Sequence, residues 1–298
     1  MNNSTKLLIA LFVVLAALAA YYIIPSGKER EASYKTSEMN LSIDSATVTK
    51  IDILRSGKSI TLENTGGRWM LISPLSFPAN ASSVTQLISS FSKFKVGTLV
   101  SSNPEKQNMF QVDSTGTTVT FTHRSGKSVS LVVGKMGPSY SEVYFRLPES
   151  KDVYLGDGMS PWTVTQEVKE WRDKTIFSTS SDSIKEVSME YKSKSYVFHR
   201  DSTEWKFGDQ TLAAGDMSTM LSTLSNLRAD DFIDSSFAPP TNPLSVKVHT
   251  SEDVVLNFFP QLPDSAKYVV QSSQSPQMFV LSKWTVQQIR KPLEKYVK

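Results

Sequence analysis

Few residues in this chain have the types and spacing that chemistry demands. The three histidines, His123, His199 and His249, each stand at the end of a strand-like run with no Glu or His at metal-ligand spacing. Zinc needs such partners to converge, and no H-E-x-x-H is present, so they read as solvent-facing strand or turn residues. A Ser-His-Asp hydrolase assembles its residues only in space, but the G-x-S-x-G elbow that would announce one is missing. Gly57-Lys58-Ser59 and Gly126-Lys127-Ser128 look like the tail of a phosphate-binding loop. The glycine required five positions upstream is Asp52 in one and Phe121 in the other, so both read as β-turns and no nucleotide is expected to bind directly.

Asp230, Asp231 and Asp234 bracket Phe232 and Ile233. Clustered oxygens suit calcium, yet the glycine turn and closing glutamate of the known loop are missing, so a charged strand edge is the reading. The 29 acidic residues give too many pairs for any glycosidase couple to be assigned. The absence of cysteine removes disulfides, thiolate metal sites, thiol nucleophiles and a lipidated cysteine. Net charge is only +3, with cations and acids interspersed, which leaves no nucleic-acid footprint. No catalytic residue, cofactor or metal site is assigned, and the chain is not expected to be an enzyme.

The firmest local element is the apolar run 7–25, LLIALFVVLAALAAYYIIP, which carries no charge. At about 1.5 Å rise per residue it nearly spans a bilayer core. Leu7, Phe12, Leu15 and Ile24 would face lipid, with Tyr21 and Tyr22 at the outer headgroups. Lys6 lies before the run, and the charges of 28–31 cancel after it, so the positive-inside bias places the N-terminus in the cytoplasm. A signal peptide cleaved near Ala17-Leu18-Ala19 is the rival reading, and both export the remainder. The expectation is a single pass through the inner membrane, with the bulk of the chain periplasmic. Residues 26–45 are polar and read as a linker.

Beyond the linker the chain repeats. Trp162-Thr163-Val164-Thr165-Gln166 returns 122 residues later as Trp284-Thr285-Val286-Gln287-Gln288. Trp69 and Trp205 stand 136 apart, each closing a hairpin pattern and each followed by an N-cap candidate, Asn80 or Asp216. At that offset Val84, Ile88 and Phe91 fall on Met220, Leu224 and Leu227, one helical face in each copy. Strand pairs follow, with Val119 and Phe121 against Val129 and Val133, and Val246 and Val248 against Val254 and Phe258. Each copy reads β-β-β-α-β-β-β-β-α.

The expected architecture is α+β: a transmembrane helix, then two tandem related domains, each a mostly antiparallel sheet with two packed helices. The boundaries are 1–25 for the cytoplasmic start and anchor, 26–45 for the linker, 46–174 for the first domain and 175–298 for the second. Trp69, Trp162, Trp205 and Trp284 are expected to anchor the repeat by packing in its cores. Asn103-Pro104-Glu105 reads as punctuation after a strand and is the candidate partner-binding loop. Duplication suggests an elongated body with a groove between its halves, suited to a scaffold.

These residues resemble the DUF4340 family of bacterial envelope proteins. The resemblance is carried by the anchor, by 48–54 with Ser59-Ile60-Thr61-Leu62, by Trp69-Met70-Leu71 before Pro74, and by Ala79-Asn80 opening the helix 81–94. It continues through Val100 to Glu105, Leu131-Val132-Val133-Gly134-Lys135, Val153-Tyr154-Leu155 and Trp171-Arg172-Asp173-Lys174. Where the family has Tyr-Gly-Leu-Asp, this chain has Phe110-Gln111-Val112-Asp113. The family brings no catalytic residues. It implies genomic company with ABC-2 type permeases, their ATPases and a large gliding-motility-type auxiliary protein. The expectation is a non-enzymatic accessory or scaffold subunit that binds the membrane permease and auxiliary protein. An envelope glycan- or lipid-binding protein using the interdomain groove is the alternative, and an unrecognised hydrolase the third.

Overall fold

The computed structural model describes residues 12–15, 39, 41, 43–234, 237–261 and 266–296. Phe12 and Leu15 lie in a short exposed helical stretch, whereas Leu7, Tyr21, Tyr22 and Ile24 fall outside the described residues. Among the described residues no helix is long and apolar enough to cross a membrane. The chain divides into two compact units, Met1–Arg172 and Asp173–Lys298.

The first unit contains β1 (Val48–Arg55), β2 (Lys58–Thr65), β3 (Arg68–Ser73), β4 (Phe77–Pro78), α1 (Ala81–Ser92), β5 (Lys95–Ser101), β6 (Thr117–His123), β7 (Ser128–Met136), β8 (Glu142–Arg146) and β9 (Val153–Asp157). Its sheet runs β4-β3-β2-β1-β6-β7-β8-β9-β5, with every pairing antiparallel. The second unit opens with β10 (Thr175–Ser178), then β11 (Glu186–Tyr191), β12 (Lys194–Asp201), β13 (Glu204–Phe207), β14 (Gln210–Thr211), α2 (Ala214–Ser225), β15 (Asn226–Arg228) and β16 (Asp231–Ile233). It closes with β17 (Leu244–His249), β18 (Asp253–Pro260), β19 (Lys267–Ser272), β20 (Ser275–Ser282) and α3 (Lys283–Tyr296). Its large sheet runs β14-β13-β12-β11-β17-β18-β19-β20-β16, and β10 pairs with β15 in a separate ribbon. The two nine-stranded orders are one topology written twice.

The period-2 alternation of these strands sends one set of side chains inward. In the first unit Val119 and Phe121 of β6 pair with Leu131 and Val129 of β7. Helix α1 covers that face with Val84, Leu87, Ile88 and Phe91, and the Phe91 ring stands 4.6 Å from that of Phe121. In the second unit Val246 and Val248 pair with Leu256 and Val254. Met217, Met220, Leu221 and Leu224 of α2 are buried in the same core as Val286, Ile289 and Leu293 of α3.

Three expectations are corrected. Asp216 does not cap α2: the helix starts after Ala213, which donates no capping side chain, and Asp216 lies in the first turn, bonded to Lys295 and Tyr296. The helices therefore correspond at an offset of 133, with Met217 at the place of Val84 and Leu224 at that of Phe91, while Leu227 belongs to β15. Helical spacings of three and four let a three-residue slip reproduce the apolar match. Finally, the first unit has no terminal α-helix, only 3₁₀ turns at Pro161–Thr163 and Val168–Trp171. Within the shared motif the copies differ at Thr165 and Gln287, and the third β-branched residue in the first copy disfavours the helix that glutamine permits in the second.

Tight turns join the first hairpins. Arg55 pairs with Lys58, and Ser56 and Gly57 between them have φ of 48° and 76°. Such two-residue turns need left-handed backbone at both positions, which glycine adopts freely. In the second unit Tyr191 pairs with Lys194, and the turn residues are Lys192 and Ser193, at φ 50° and 61°.

Candidate functional site

The residues singled out for chemistry stay apart. His123 Nδ1 lies 2.8 Å from the Thr47 hydroxyl, His199 sits on β12 opposite Glu186, and His249 Nδ1 meets Asp253 Oδ1 at 2.7 Å on an exposed hairpin end. Lys247 also pairs with Asp253 at 3.1 Å, and the hydrogen bond from His249, followed by that from Lys247, holds this carboxyl below the usual carboxylate range. Both Gly-Lys-Ser tripeptides lie at hairpin turns, with Gly126 at φ 81°. Asp231 lies on the edge strand β16, and Asp230 accepts from the Ser282 N–H at 2.8 Å. Among the described residues no group of His, Cys, Asp and Glu is placed to hold a metal ion.

The loop Asn103-Pro104-Glu105 opens a 3₁₀ helix, Pro104–Phe110, where the Asn103 side chain accepts from the Glu105 N–H at 3.0 Å. That helix ends at Gln111, φ 56° and ψ 39°, so the position where the family motif carries glycine is a left-handed one. The next residue, Val112, packs with Val132 and Val153 beneath Phe110 and Tyr144 on a small second core.

The tryptophans divide into two pairs. Trp205 is buried and Trp69 half-buried, as packing anchors should be. Trp162 and Trp284 are 76% and 67% exposed, which corrects the expectation that all four fill cores. In both copies the residue two further on, Val164 or Val286, is buried at 1%, so the helical element docks through valine and turns its indole outward. An exposed tryptophan has a large apolar face available for contact, and here it recurs at the same place in each unit.

Beside that element each unit has a pocket against its first hairpin. In the first, a cavity of about 250 Å³ is lined by Ile53, Arg55, Lys58 and Ile60 of the hairpin and by Val164 and Val168. Arg55 donates to the Thr165 carbonyl at 3.2 Å. The second, of about 320 Å³, is lined by Tyr191, Lys192, Lys194 and Tyr196 and by Arg290 and Leu293 of α3, with Glu294 at its edge. Registers fix the correspondence, since Ile53 pairs with Ile60 as Met189 pairs with Tyr196. Tyr191, Tyr196 and Arg290 carry no motif. Their signal in the sequence is the comparison of copies, in which apolar Ile60 and Val168 become Tyr196 and Arg290.

The two units are similar antiparallel sheets repeated in tandem, a β-rich α+β architecture. The family model "Domain of unknown function (DUF4340)" matches residues 69–245, reaching from β3 of the first unit into the second, and the chain belongs to this family. No curated protein and no solved structure matches it.

Proposed function

We propose that this chain is a non-enzymatic, membrane-tethered accessory or scaffold subunit, placed outside the cytoplasm, that binds partner proteins of an ABC transporter-like assembly. The observation that carries the binding role is the equivalent exposure of Trp162 and Trp284, one on each unit. A rigid aromatic face on a supported element is a common anchor of protein interfaces. The apolar run 7–25 supplies the tether. Resemblance to envelope proteins encoded beside permeases supplies the expected partners, the permease and its auxiliary protein.

The same two indoles also favour a second reading, an envelope glycan-binding protein, since flat rings stack on sugars. Purification of the full chain from its native membranes in mild detergent separates the two. The scaffold reading expects an integral-membrane transporter subunit to co-purify, and expects its loss when both Trp162 and Trp284 are changed to Ala. Recovery of the chain alone, under conditions that preserve transporter complexes, would overturn it.

A further inference from the structure

The two hairpin pockets share one scaffold but not one chemistry. At the places where the first unit has Arg55, Ile60 and Val168, the second has Tyr191, Tyr196 and Arg290, and Lys58 is matched by Lys194. Packing does not require the change, because the first unit closes the same corner with Ile60, Val168 and an Arg55 bonded to a backbone carbonyl. The Ser56-Gly57 turn becomes Lys192-Ser193, with Ser56 and Lys192 in the same left-handed backbone, so the change places a lysine at the rim of the second pocket.

The charges in the second pocket are poorly matched. Arg290 is only 22% exposed at its side chain, yet its nearest carboxylate oxygen, on Glu294, is 3.9 Å away. Its Nη2 donates to the neutral Tyr191 hydroxyl at 3.2 Å, and its Nε is buried with no hydrogen-bond partner among the described residues. A desolvated guanidinium is best satisfied by ionised acceptors. Lys192 Nζ lies 5.3 Å from the Tyr191 ring that Arg290 also covers, so three cations face one carboxylate across two tyrosines.

We propose that this pocket of the second unit binds an acidic peptide segment of a partner protein. Carboxylates would pair with Arg290, Lys192 and Lys194, and their aliphatic stems would lie on Tyr191 and Tyr196. The cations come from a turn and a helix with rings between them, which suits successive carboxylates along a strand better than one compact phosphate. This inference rests on the partner-binding reading and names the chemistry of the partner.

Calorimetric titration of the full chain in mild detergent with a capped oligoglutamate peptide tests it. The unaltered chain should bind, Lys192→Gln with Lys194→Gln should weaken binding about tenfold, and Glu294→Gln, which removes the competing carboxylate, should strengthen it. Lys127→Gln with Lys151→Gln, the same charge change on the first unit, should leave it intact. Both lysine pairs lie on the surface, so the comparison survives if an Arg290 variant fails to fold. Failure of oligoglutamate to bind, equal weakening by both lysine pairs, or binding only of inorganic phosphate or of phosphatidylglycerol vesicles would overturn the proposal. If a transporter subunit co-purifies equally with the Lys192, Lys194 variant, this inference fails and the scaffold reading stands. If oligoglutamate binds as expected but the unaltered chain recovers no partner, the scaffold reading fails alone.

Discussion

The Arg290 guanidinium carbon lies 4.6 Å from the centroid of the Tyr191 ring, and Nη2 of the same group donates to the Tyr191 hydroxyl at 3.2 Å. One tyrosine thus both stacks on the cation and accepts from it, tying α3 to the end of β11. Tyr191→Phe keeps the ring and deletes the acceptor, leaving a second guanidinium donor without a partner. Urea unfolding should then show a loss of about 1 kcal/mol. A midpoint equal to that of the unaltered chain would mean that the hydroxyl does not hold the arginine.

Left-handed residues without glycine offer the reverse test. Ser193 and Gln111 have φ of 61° and 56°. Ser193→Gly and Gln111→Gly should each raise stability by up to about 1 kcal/mol, read as an increase in thermal midpoint, because steric relief exceeds the added freedom of the unfolded chain. Gly134→Ala should do the opposite, since a Cβ there would meet the Phe110 carbonyl oxygen and lie 2.6 Å from Val112 Cγ1. Its cost is expected at about 1–3 kcal/mol.

The two early helices begin differently. Asn80 accepts from the Ser82 and Ser83 N–H groups at 3.1 and 3.3 Å, whereas Ala213 caps nothing. Asn80→Ala should cost about 1 kcal/mol and Ala213→Asn should gain roughly half to all of that, measured by denaturant midpoints. Equal responses at the two sites would contradict the assigned helix starts.

Much of the repeat was legible because hairpins and amphipathic faces write their own periods: Val119 and Phe121, and Val246 and Val248, face their partners as the alternation expects. Asp216 misleads about the start of α2, since an acid in the first turn looks like a cap when the chain between Trp205 and the helix is three residues shorter. The outward tryptophans were hidden for another reason. Periodicity shows which residues share a face, but Trp162 and Val164 belong to an element too short to have one. The site chemistry of Tyr191 and Arg290 comes from residues 99 positions apart, and only folding brings them together.

Acid should destabilise the chain through carboxylates bonded only when folded. Asp157 accepts from the Ser141 hydroxyl at 2.7 Å, and Asp113 accepts from the Thr115 hydroxyl and N–H. These bonds lower both folded-state pKa values below the unfolded ones. The stabilisation is therefore complete above an unfolded pKa of about 4 and is lost as pH falls through the folded values. Thermal midpoints should drop below about pH 4, and Asp157→Asn should flatten part of that fall.

On the proposed scaffold role, Trp162 and Trp284 should contribute to partner capture and, being exposed, little to folding. Replacement of Trp284 by Ala should change stability by no more than about 0.5 kcal/mol, against about 3–5 kcal/mol for buried Trp205. The most direct measurement places a photo-reactive amino acid at position 162 or 284 of the full chain in the cells that make it. The account predicts a crosslink from each position to an integral-membrane transporter subunit, and none from the exposed hairpin position Lys127. Adducts from Lys127 equal to those from 162 and 284, or none from either tryptophan position, would contradict it.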